Sequence, residues 1–230
     1  SMKTIDLLLA ASLALFVSCK AVETPEPYGV LPTDAQVEWQ KMEYNMFIHF
    51  GPNTFSGNEW GSGKEKAELF NPSSLDCRQW VSIAKAAGMK GIIITAKHHD
   101  GFCLFDSALT DFKSTNTPFG RDAVAEFVEA VRAEGLKVGL YFTLIDWHHP
   151  EFTIDQIHPM RNRPDAEAIS AKRNMKIYAE YMRNQVTELL TNYGKIDILW
   201  FDFSYAKSSD AKSWMEGKGK EDWESEKLIA

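Results

Sequence analysis

One segment of the chain decides its fold: residues 91–101 read GIIITAKHHDG. Its first six residues form a short, continuous and mostly apolar run, which is typical of a strand buried on both faces. Polar residues begin at Lys97, directly after this run. Three other runs share the pattern, at residues 46–50 (MFIHF), 138–142 (VGLYF) and 198–202 (ILWFD). We therefore predict four buried strands that lie parallel in one sheet.

Amphipathic helices are predicted between these strands. Three helical patterns begin near Asp76, Asp122 and Asp165, and the last extends over residues 165–192. Each is followed by a glycine, a residue that readily takes the left-handed conformation at a helix end: Gly88, Gly135 and Gly194. The expected buried side chains are Trp80, Ile83, Ala84 and Ala87, then Val124, Phe127, Val128 and Val131, then Ile177, Tyr181, Val186, Leu189 and Leu190. The chain thus repeats a strand–helix unit with right-handed crossovers.

Two α/β folds are built from such units. A doubly wound sheet usually carries a glycine fingerprint after its first strand, and this sequence has none there. A (β/α)8 barrel places its chemistry at the carboxyl ends of its strands, which is where the polar residues of this chain occur. We predict a (β/α)8 TIM-type barrel, of which only about the first four βα units are present.

Four strands cannot close an eight-stranded barrel, and half a barrel exposes strand edges and apolar faces. We therefore expect a piece of a longer protein, or self-association with a second copy. The barrel part is assigned to residues 35–230, beginning with a helix over residues 35–44. Residues 20–34 contain three prolines and are assigned to a linker.

Residues 1–19 have the features of a targeting segment. Lys3 precedes an apolar run over residues 7–17 that is too short to span a bilayer. The sequence FVSC at residues 16–19 resembles a bacterial lipoprotein processing box, and the alternative is an ordinary signal peptide with a chance cysteine. We expect lipidation of Cys19, a secreted or periplasmic, cell-surface location in a bacterium, and membrane contact only through that anchor.

Composition excludes one class of partner. A formal net charge of −7 argues against nucleic-acid binding, which requires a basic surface. The hydrophobic share of 44% suits a globular domain with a sizeable core. Apart from Cys19, the chain has only Cys77 and Cys103, which are too few for a disulfide framework and are expected to be buried thiols.

The strand ends carry the candidate functional residues. In a barrel they converge on one pocket, although they are far apart in sequence. They are His49, Glu59 and Trp60 after the first strand, Lys97, His98, His99 and Asp100 after the second, Tyr141, Asp146, Trp147, His148 and His149 at the third, and Asp202 at the fourth.

These histidines do not form a recognisable metal motif. His98 and His99 are adjacent, so on a regular strand they point to opposite faces, although a turn at the strand end lets both reach one ligand. Neither a His-x-His pair nor histidines four residues apart on a helix occur here. We predict no metal and no cofactor, and a metal-dependent barrel hydrolase that uses the histidine pairs is kept as an alternative.

Asp202 ends an apolar strand that also contains Trp200 and Phe201. A carboxylate there can cap a helix or pair with a lysine. It can also act as a catalytic carboxylate on a rigid element among aromatic rings, which is the interpretation we favour.

Five motifs occur in order along residues 38–203, and they read MFIHFG, EW, AKHHDGF, GLYF followed by DWHHP, and LWFD. Together they resemble the α-L-fucosidase family of retaining glycoside hydrolases. The stretch KHHDGF is the most specific of them. The resemblance implies an exo-acting hydrolase that removes terminal α-L-fucose from a fucosylated oligosaccharide or glycoconjugate, with retention of configuration.

The resemblance also implies roles for single residues. Asp202 matches the nucleophile, which forms a covalent fucosyl-enzyme. The residues matched to fucose binding are His49, His98, His99 and Trp60, and with less direct support Tyr141 and Trp147. An aromatic pocket for the C5 methyl group of fucose is expected from Phe50 or Trp200.

The general acid/base is the least defined role. Retention requires a second carboxyl group about 5–5.5 Å from the nucleophile. Glu59 matches a residue with a catalytic role in some members of the family, and the alternative is a carboxylate that binds substrate or supports a neighbour. The isolated chain is expected to have little activity, and a carbohydrate-binding pseudoenzyme is a further alternative.

Overall fold

The computed structural model describes residues 24–230. The predicted signal segment and the lipidation site Cys19 lie outside the described residues and stay predictions, as do the domain boundaries. Residues 24–33 contain neither helix nor strand, and helix α1 spans Asp34–Met42, where a helix was expected over residues 35–44. Within the described part, no helix is both long and apolar enough to cross a membrane.

Four strands form one parallel sheet in the order β1-β2-β3-β4. Their bounds are Asn45–Ile48 for β1, Gly91–Lys97 for β2, Lys137–Thr143 for β3 and Ile198–Asp202 for β4. Each strand pairs with the next strand in sequence, as expected of consecutive strand–helix units. The predicted α/β fold with a parallel sheet is therefore confirmed.

Helices connect the strands and follow the last one. They are α2 (Asn53–Ser56), α3 (Cys77–Ala86), α4 (Ala123–Ala133), α5 (Ala166–Ser170), α6 (Met175–Asn192), α7 (Lys220–Trp223) and α8 (Ser225–Ile229). The side chains of Asp76 and Asp122 accept backbone N–H groups at the first turns of α3 and α4, which satisfies otherwise unpaired donors. Gly88, Gly135 and Gly194 have φ of 78°, 72° and 67°, the left-handed conformation expected of them.

The predicted helix over residues 165–192 is wrong in one respect, because it is interrupted between α5 and α6. The intervening residues bond to the loop after β3: the Arg173 guanidinium donates to the Phe152 carbonyl, and the Asn174 N–H donates to Glu151 at 2.7 Å. The Asn174 side chain then caps α6 by accepting the Lys176 N–H. Tertiary contacts outweigh the local helical preference here.

The phase of α6 also differs from the predicted one. Val186 and Leu189 are buried as expected, whereas Ile177 and Leu190 are 51% and 48% exposed. The buried face includes Gln185, which is polar and so gave no apolar signal. In α3, similarly, Ile83 and Ala87 are exposed and the buried residues are Cys77, Val81 and Ala84. All four residues predicted for the core side of α4 are buried: Val124, Phe127, Val128 and Val131.

The core lies between the sheet and the helices α3, α4 and α6. Cys77 and Cys103 are buried thiols, as expected, and burial raises the pKa of each to about 12. The opposite face of the sheet is partly open, with Phe47 and Trp200 41% and 46% exposed. The carboxyl ends of the strands border this open face, so side chains there are accessible to a ligand.

Candidate active site

The pairing of the strands sets which side chains share the open face. Thr95, Tyr141 and Trp200 lie side by side in neighbouring strands, and Thr143 lies beside Asp202. Side chains paired in this way point to the same face of a sheet. The Tyr141 and Trp200 ring centroids are 6.0 Å apart, which places both on one surface. Asp202 lies at the carboxyl end of β4, at the edge of this surface.

A bulge lies at the end of β2, just before Lys97 and the two histidines that follow it. The register shifts between Thr95 and Lys97, and Lys97 pairs with Phe142 and is fully buried. His98 and His99 come directly after the strand, and their rings stack with centroids 4.1 Å apart and planes inclined by 27°. The turn at the strand end therefore brings both imidazoles to one side, so they do not diverge as on a regular strand.

His49 completes a group of three imidazoles. Its ring centroid is 4.4 Å from that of His98, although the two residues lie on different strand ends. Burial lowers the pKa of His98 to about 2 and that of His99 to about 4, and it also lowers the pKa of His49. All three rings are therefore neutral at pH 7, and each offers one N–H donor and one acceptor.

The hydrogen bonding of the three imidazoles is incomplete. His99 Nδ1 lies 2.7 Å from Thr143 Oγ1, which orients that ring. His98 Nδ1 is buried and has no hydrogen-bond partner among residues 24–230. A buried polar atom without a partner is rare and costs free energy, so it marks a place where a ligand or a water is expected.

Asp202 is held by a phenol. The Tyr141 hydroxyl donates to Asp202 Oδ2 at 2.6 Å. Burial, and then this carboxylate, raise the pKa of Tyr141 well above its usual value, so the phenol stays protonated and remains a donor. The Tyr141 ring also lies 6.0 Å from that of His98, so the carboxylate and the histidine group share one site. Asp202 is half-buried and so remains open to a ligand.

Aromatic rings form a wall beside this group. The Trp60 centroid lies 5.5 Å from that of His99 and 5.7 Å from that of Trp147, and Trp147 lies 5.4 Å from His99. Trp147 is buried, whereas Trp60 is 42% exposed. Phe203 belongs to the same wall, 4.8 Å from His99. Its φ of 79° is unusual for a residue with a side chain, and no sequence signal pointed to it.

Glu59 lies at the edge of the histidine group. With His49, His98 and Asp100 it lines a cavity of about 190 Å³, and its charge counteracts part of the lowering of the His49 pKa. Asp100 is buried beside it and accepts hydrogen bonds from the Phe102 N–H and the Asn53 amide. Glu59 is therefore beside the imidazoles, where a carboxylate can reach a ligand bound to them.

Other candidates do not reach this site. The His148 ring stacks on Phe112 with a centroid distance of 4.3 Å, and the His149 ring packs at 4.3 Å against Tyr181. Phe50 lines the cavity beside Glu59, but its ring packs against Trp80, whereas Trp200 lies exposed beside Tyr141; Trp200 is therefore the better placed of the two residues considered for the C5 methyl group. Among residues 24–230, no three His, Cys, Asp or Glu side chains are arranged to hold a metal ion.

Comparison with known proteins gives a consistent family. The family model described as Alpha-L-fucosidase matches residues 27–230. Alpha-L-fucosidase 1 of Arabidopsis thaliana is 38% identical over 198 residues, which are 83% of this chain and 35% of that protein. The chain thus spans about a third of the length of the curated relatives it matches.

Solved structures agree with this. The alpha-L-fucosidase isoenzyme 1 from Paenibacillus thiaminolyticus superposes with a TM-score of 0.72 at 43% identity, over 84% of this chain and 46% of that one. A mutant GH29 fucosidase from Ruminococcus gnavus in complex with fucose has a TM-score of 0.66 at 33% identity, over 88% and 40% of the two chains. Because the family model matches nearly all of its residues, this chain belongs to the alpha-L-fucosidase family.

Proposed function

We propose that this chain is part of an exo-acting α-L-fucosidase that removes terminal α-L-fucose from fucosylated oligosaccharides or glycoconjugates, with retention of configuration. One observation carries the proposal. Three neutral imidazoles and the Asp202 carboxylate, which come from three separate strand ends, face one site bordered by aromatic rings. Hydrogen-bonding groups beside apolar rings suit a sugar, which presents hydroxyls and apolar C–H surfaces.

In the proposed reaction Asp202 is the nucleophile. A carboxylate oxygen of Asp202 bonds to the anomeric carbon while the bond from that carbon to the aglycone oxygen breaks. A second carboxyl group protonates the departing oxygen, and it later takes a proton from the water that hydrolyses the fucosyl-enzyme. Glu59 is our candidate for this second group in the described residues. The Tyr141 hydroxyl holds the other oxygen of Asp202 and so orients the nucleophile.

Binding of fucose is assigned to the imidazoles and the aromatic wall. The unpartnered Nδ1 of His98 supports a hydrogen bond to a fucose hydroxyl at that atom. Trp60 is exposed beside His99 and Trp147, so its ring is free to pack on the sugar. Trp200 offers an apolar surface for the C5 methyl group.

We also propose that the sheet belongs to a (β/α)8 barrel completed by further strands. The open face with Phe47 and Trp200 supports this, as does the greater length of the relatives. The 230 residues alone should then turn over an aryl α-L-fucoside far more slowly than the complete protein. Equal turnover by the two would contradict the need for further strands. Secretion and lipid anchoring at Cys19 remain proposals from the sequence.

The mechanism is tested by trapping the intermediate. The complete protein is incubated with an activated 2-fluoro-fucoside, digested and examined by mass spectrometry. We expect the fluorofucosyl group on the peptide that contains Asp202. A label on any other peptide would rule out Asp202 as the nucleophile. Binding of free fucose without turnover by the complete protein would instead favour the carbohydrate-binding alternative.

A further inference from the structure

A buried ion pair lies behind the site, on the helix side of the sheet. Lys97 Nζ is 3.2 Å from Asp146 Oδ2, and the two residues are 0% and 1% exposed. The Lys97 ammonium also donates to Gln185 Oε1 of α6 at 3.0 Å and lies 4.4 Å from the Phe142 ring centroid. The pair therefore links the end of β2, the loop after β3 and α6. None of these atoms faces the three imidazoles, so the proposed reaction leaves the pair without a role.

The second oxygen of Asp146 organises the loop that carries Trp147. Asp146 Oδ1 accepts the backbone N–H of His148 at 3.0 Å and that of His149 at 2.9 Å. The Trp147 N–H donates to the His99 carbonyl at 2.9 Å. The backbone of Trp147 is thus bonded to the strand end that carries the imidazoles, while the turn that follows it is closed by Asp146.

Neighbouring glycines show how closely this loop is packed. A Cβ on Gly101 would lie 2.3 Å from Asp146 Oδ1, and a Cβ on Gly63 would lie 2.5 Å from the Trp147 carbonyl carbon. Both glycines also have positive φ, 84° and 75°. The loops after β1 and β2 therefore approach the Asp146 loop as closely as backbone atoms allow. If the Asp146 loop changes position, these two loops have little space in which to adjust.

A buried ion pair is a costly way to gain stability. Apolar residues of similar volume often stabilise a protein as well or better, so such a pair is weak evidence for a stabilising role. A buried ion pair is instead directional, because its charges and hydrogen bonds are paired in one arrangement of the two side chains. Here that arrangement places Trp147 against His99 and Trp60.

We propose that Asp146 is a positioning residue, which holds Trp147 in the wall of the fucose site by closing the turn of residues 146–149. The inference rests on the proposed function and extends it to residues that do not touch the sugar. Asp146 Oδ1 is the atom that acts on the loop, and the Lys97 ammonium compensates the charge of the buried carboxylate through Oδ2.

Two double variants of the complete protein test this, because both remove the ion pair and differ only in the acceptor. In Lys97→Met/Asp146→Asn, the amide oxygen can still accept the His148 and His149 N–H groups. In Lys97→Met/Asp146→Leu, a side chain of similar volume has no acceptor.

We expect the Asn variant to stay within a few-fold of the parent in kcat/KM and in Kd for a fucose-configured iminosugar. For the Leu variant we expect kcat/KM to fall and Kd to rise, each by roughly ten- to a hundredfold, because small misplacements of a binding group reduce rates by such factors. Circular dichroism and Tm establish that the two variants are equally folded. If the two lose activity and affinity equally at similar Tm, the positioning role is excluded.

The test also separates this inference from the proposed function. Absence of fucoside turnover by the parent would refute the proposed function alone. The inference is then judged on Trp147 itself, by ¹⁹F NMR of protein labelled with fluorotryptophan, with a Trp147→Phe variant to assign the signal. A shifted or broadened Trp147 signal in the Leu variant but not in the Asn variant supports positioning, and equal signals in the two variants overturn it.

Discussion

Two histidine pairs follow the neighbouring strands β2 and β3, and their side chains pack in different ways. His98 and His99 stack on one another at 4.1 Å and face the site, and burial lowers the pKa of each far below the usual value. His148 and His149 separate, the first onto Phe112 and the second onto Tyr181. Residue type is the same in both pairs. What differs is the backbone, because a bulge precedes the first pair whereas Asp146 closes a turn around the second.

The largest expected effect tests whether the first pair lies at the reacting centre. Asp202 is the proposed nucleophile beside the first pair, so Asp202→Asn should lower kcat of the complete protein by at least about a thousandfold. Steady-state kinetics with an aryl α-L-fucoside measures this. Asp197→Asn, near the opposite end of β4, is the matched control and should change kcat by only a few-fold. If Asp202→Asn lowers kcat by only a few-fold, the first histidine pair does not lie at the reacting centre.

A large effect on stability is expected at Lys97, which directly precedes the first pair and bonds to the loop of the second. Lys97→Met leaves Asp146 buried without its cation, which should cost about 3–5 kcal/mol of unfolding free energy. Chemical denaturation of the complete protein measures it. The double variant Lys97→Met/Asp146→Asn should recover most of the loss, because it removes both charges. No recovery would mean that the loss comes from the lysine methylenes and not from the unpaired carboxylate.

An intermediate effect, on kcat/KM, is expected to distinguish the two histidine pairs directly. His98→Ala removes a ring that offers the substrate a hydrogen bond, and we expect kcat/KM to fall roughly ten- to a hundredfold, since such bonds contribute about 1–3 kcal/mol. His148→Ala, in the other pair, should change kcat/KM by less than about threefold, because surface substitutions are usually nearly neutral. Similar losses from the two substitutions would show that both pairs contribute to the same site.

The smallest expected effect concerns pH. The pKa of His98 is about 2 in the folded protein, well below its unfolded value, so the unfolded state binds the proton more strongly. The stability contributed by a neutral His98 is thus complete above about pH 6.5 and is lost progressively as the pH falls below it. Denaturation of the parent and of His98→Phe at pH 6 and pH 5 should differ in slope by about 1.4 kcal/mol per pH unit. Equal slopes would indicate that His98 is protonated in the folded state.

Most of the sheet was predictable because its signals are local. The four strands are continuous apolar runs, Asp76 and Asp122 cap the helices that follow them, and glycines with positive φ end those helices. The buried face of α4 was also predictable, because apolar side chains alone form it. The faces of α3 and α6 were predicted less well, and in α6 the reason is visible: Gln185 turns inward to reach Lys97, which an apolar pattern cannot reveal.

The candidate site was predictable in its membership and only partly in its geometry. The strand ends and the family resemblance pointed to His49, His98, His99 and Asp202, and the structure brings them together. Phe203 was missed, because its place in the wall depends on an unusual backbone conformation. The direction of Lys97 was missed as well, because a bulge reverses the alternation of side chains along the strand.

The sequence by itself determined the parallel strand–helix fold, the residues at the strand ends and the family, since each is encoded in short patterns of neighbouring residues. Only the tertiary structure decided where His148 and His149 pack, and which charged residue closes the turn around Trp147. The physical reason is that these outcomes depend on hydrogen bonds between residues 44 to 88 positions apart, such as the one between Thr143 and His99 and those that Lys97 donates to Asp146 and Gln185.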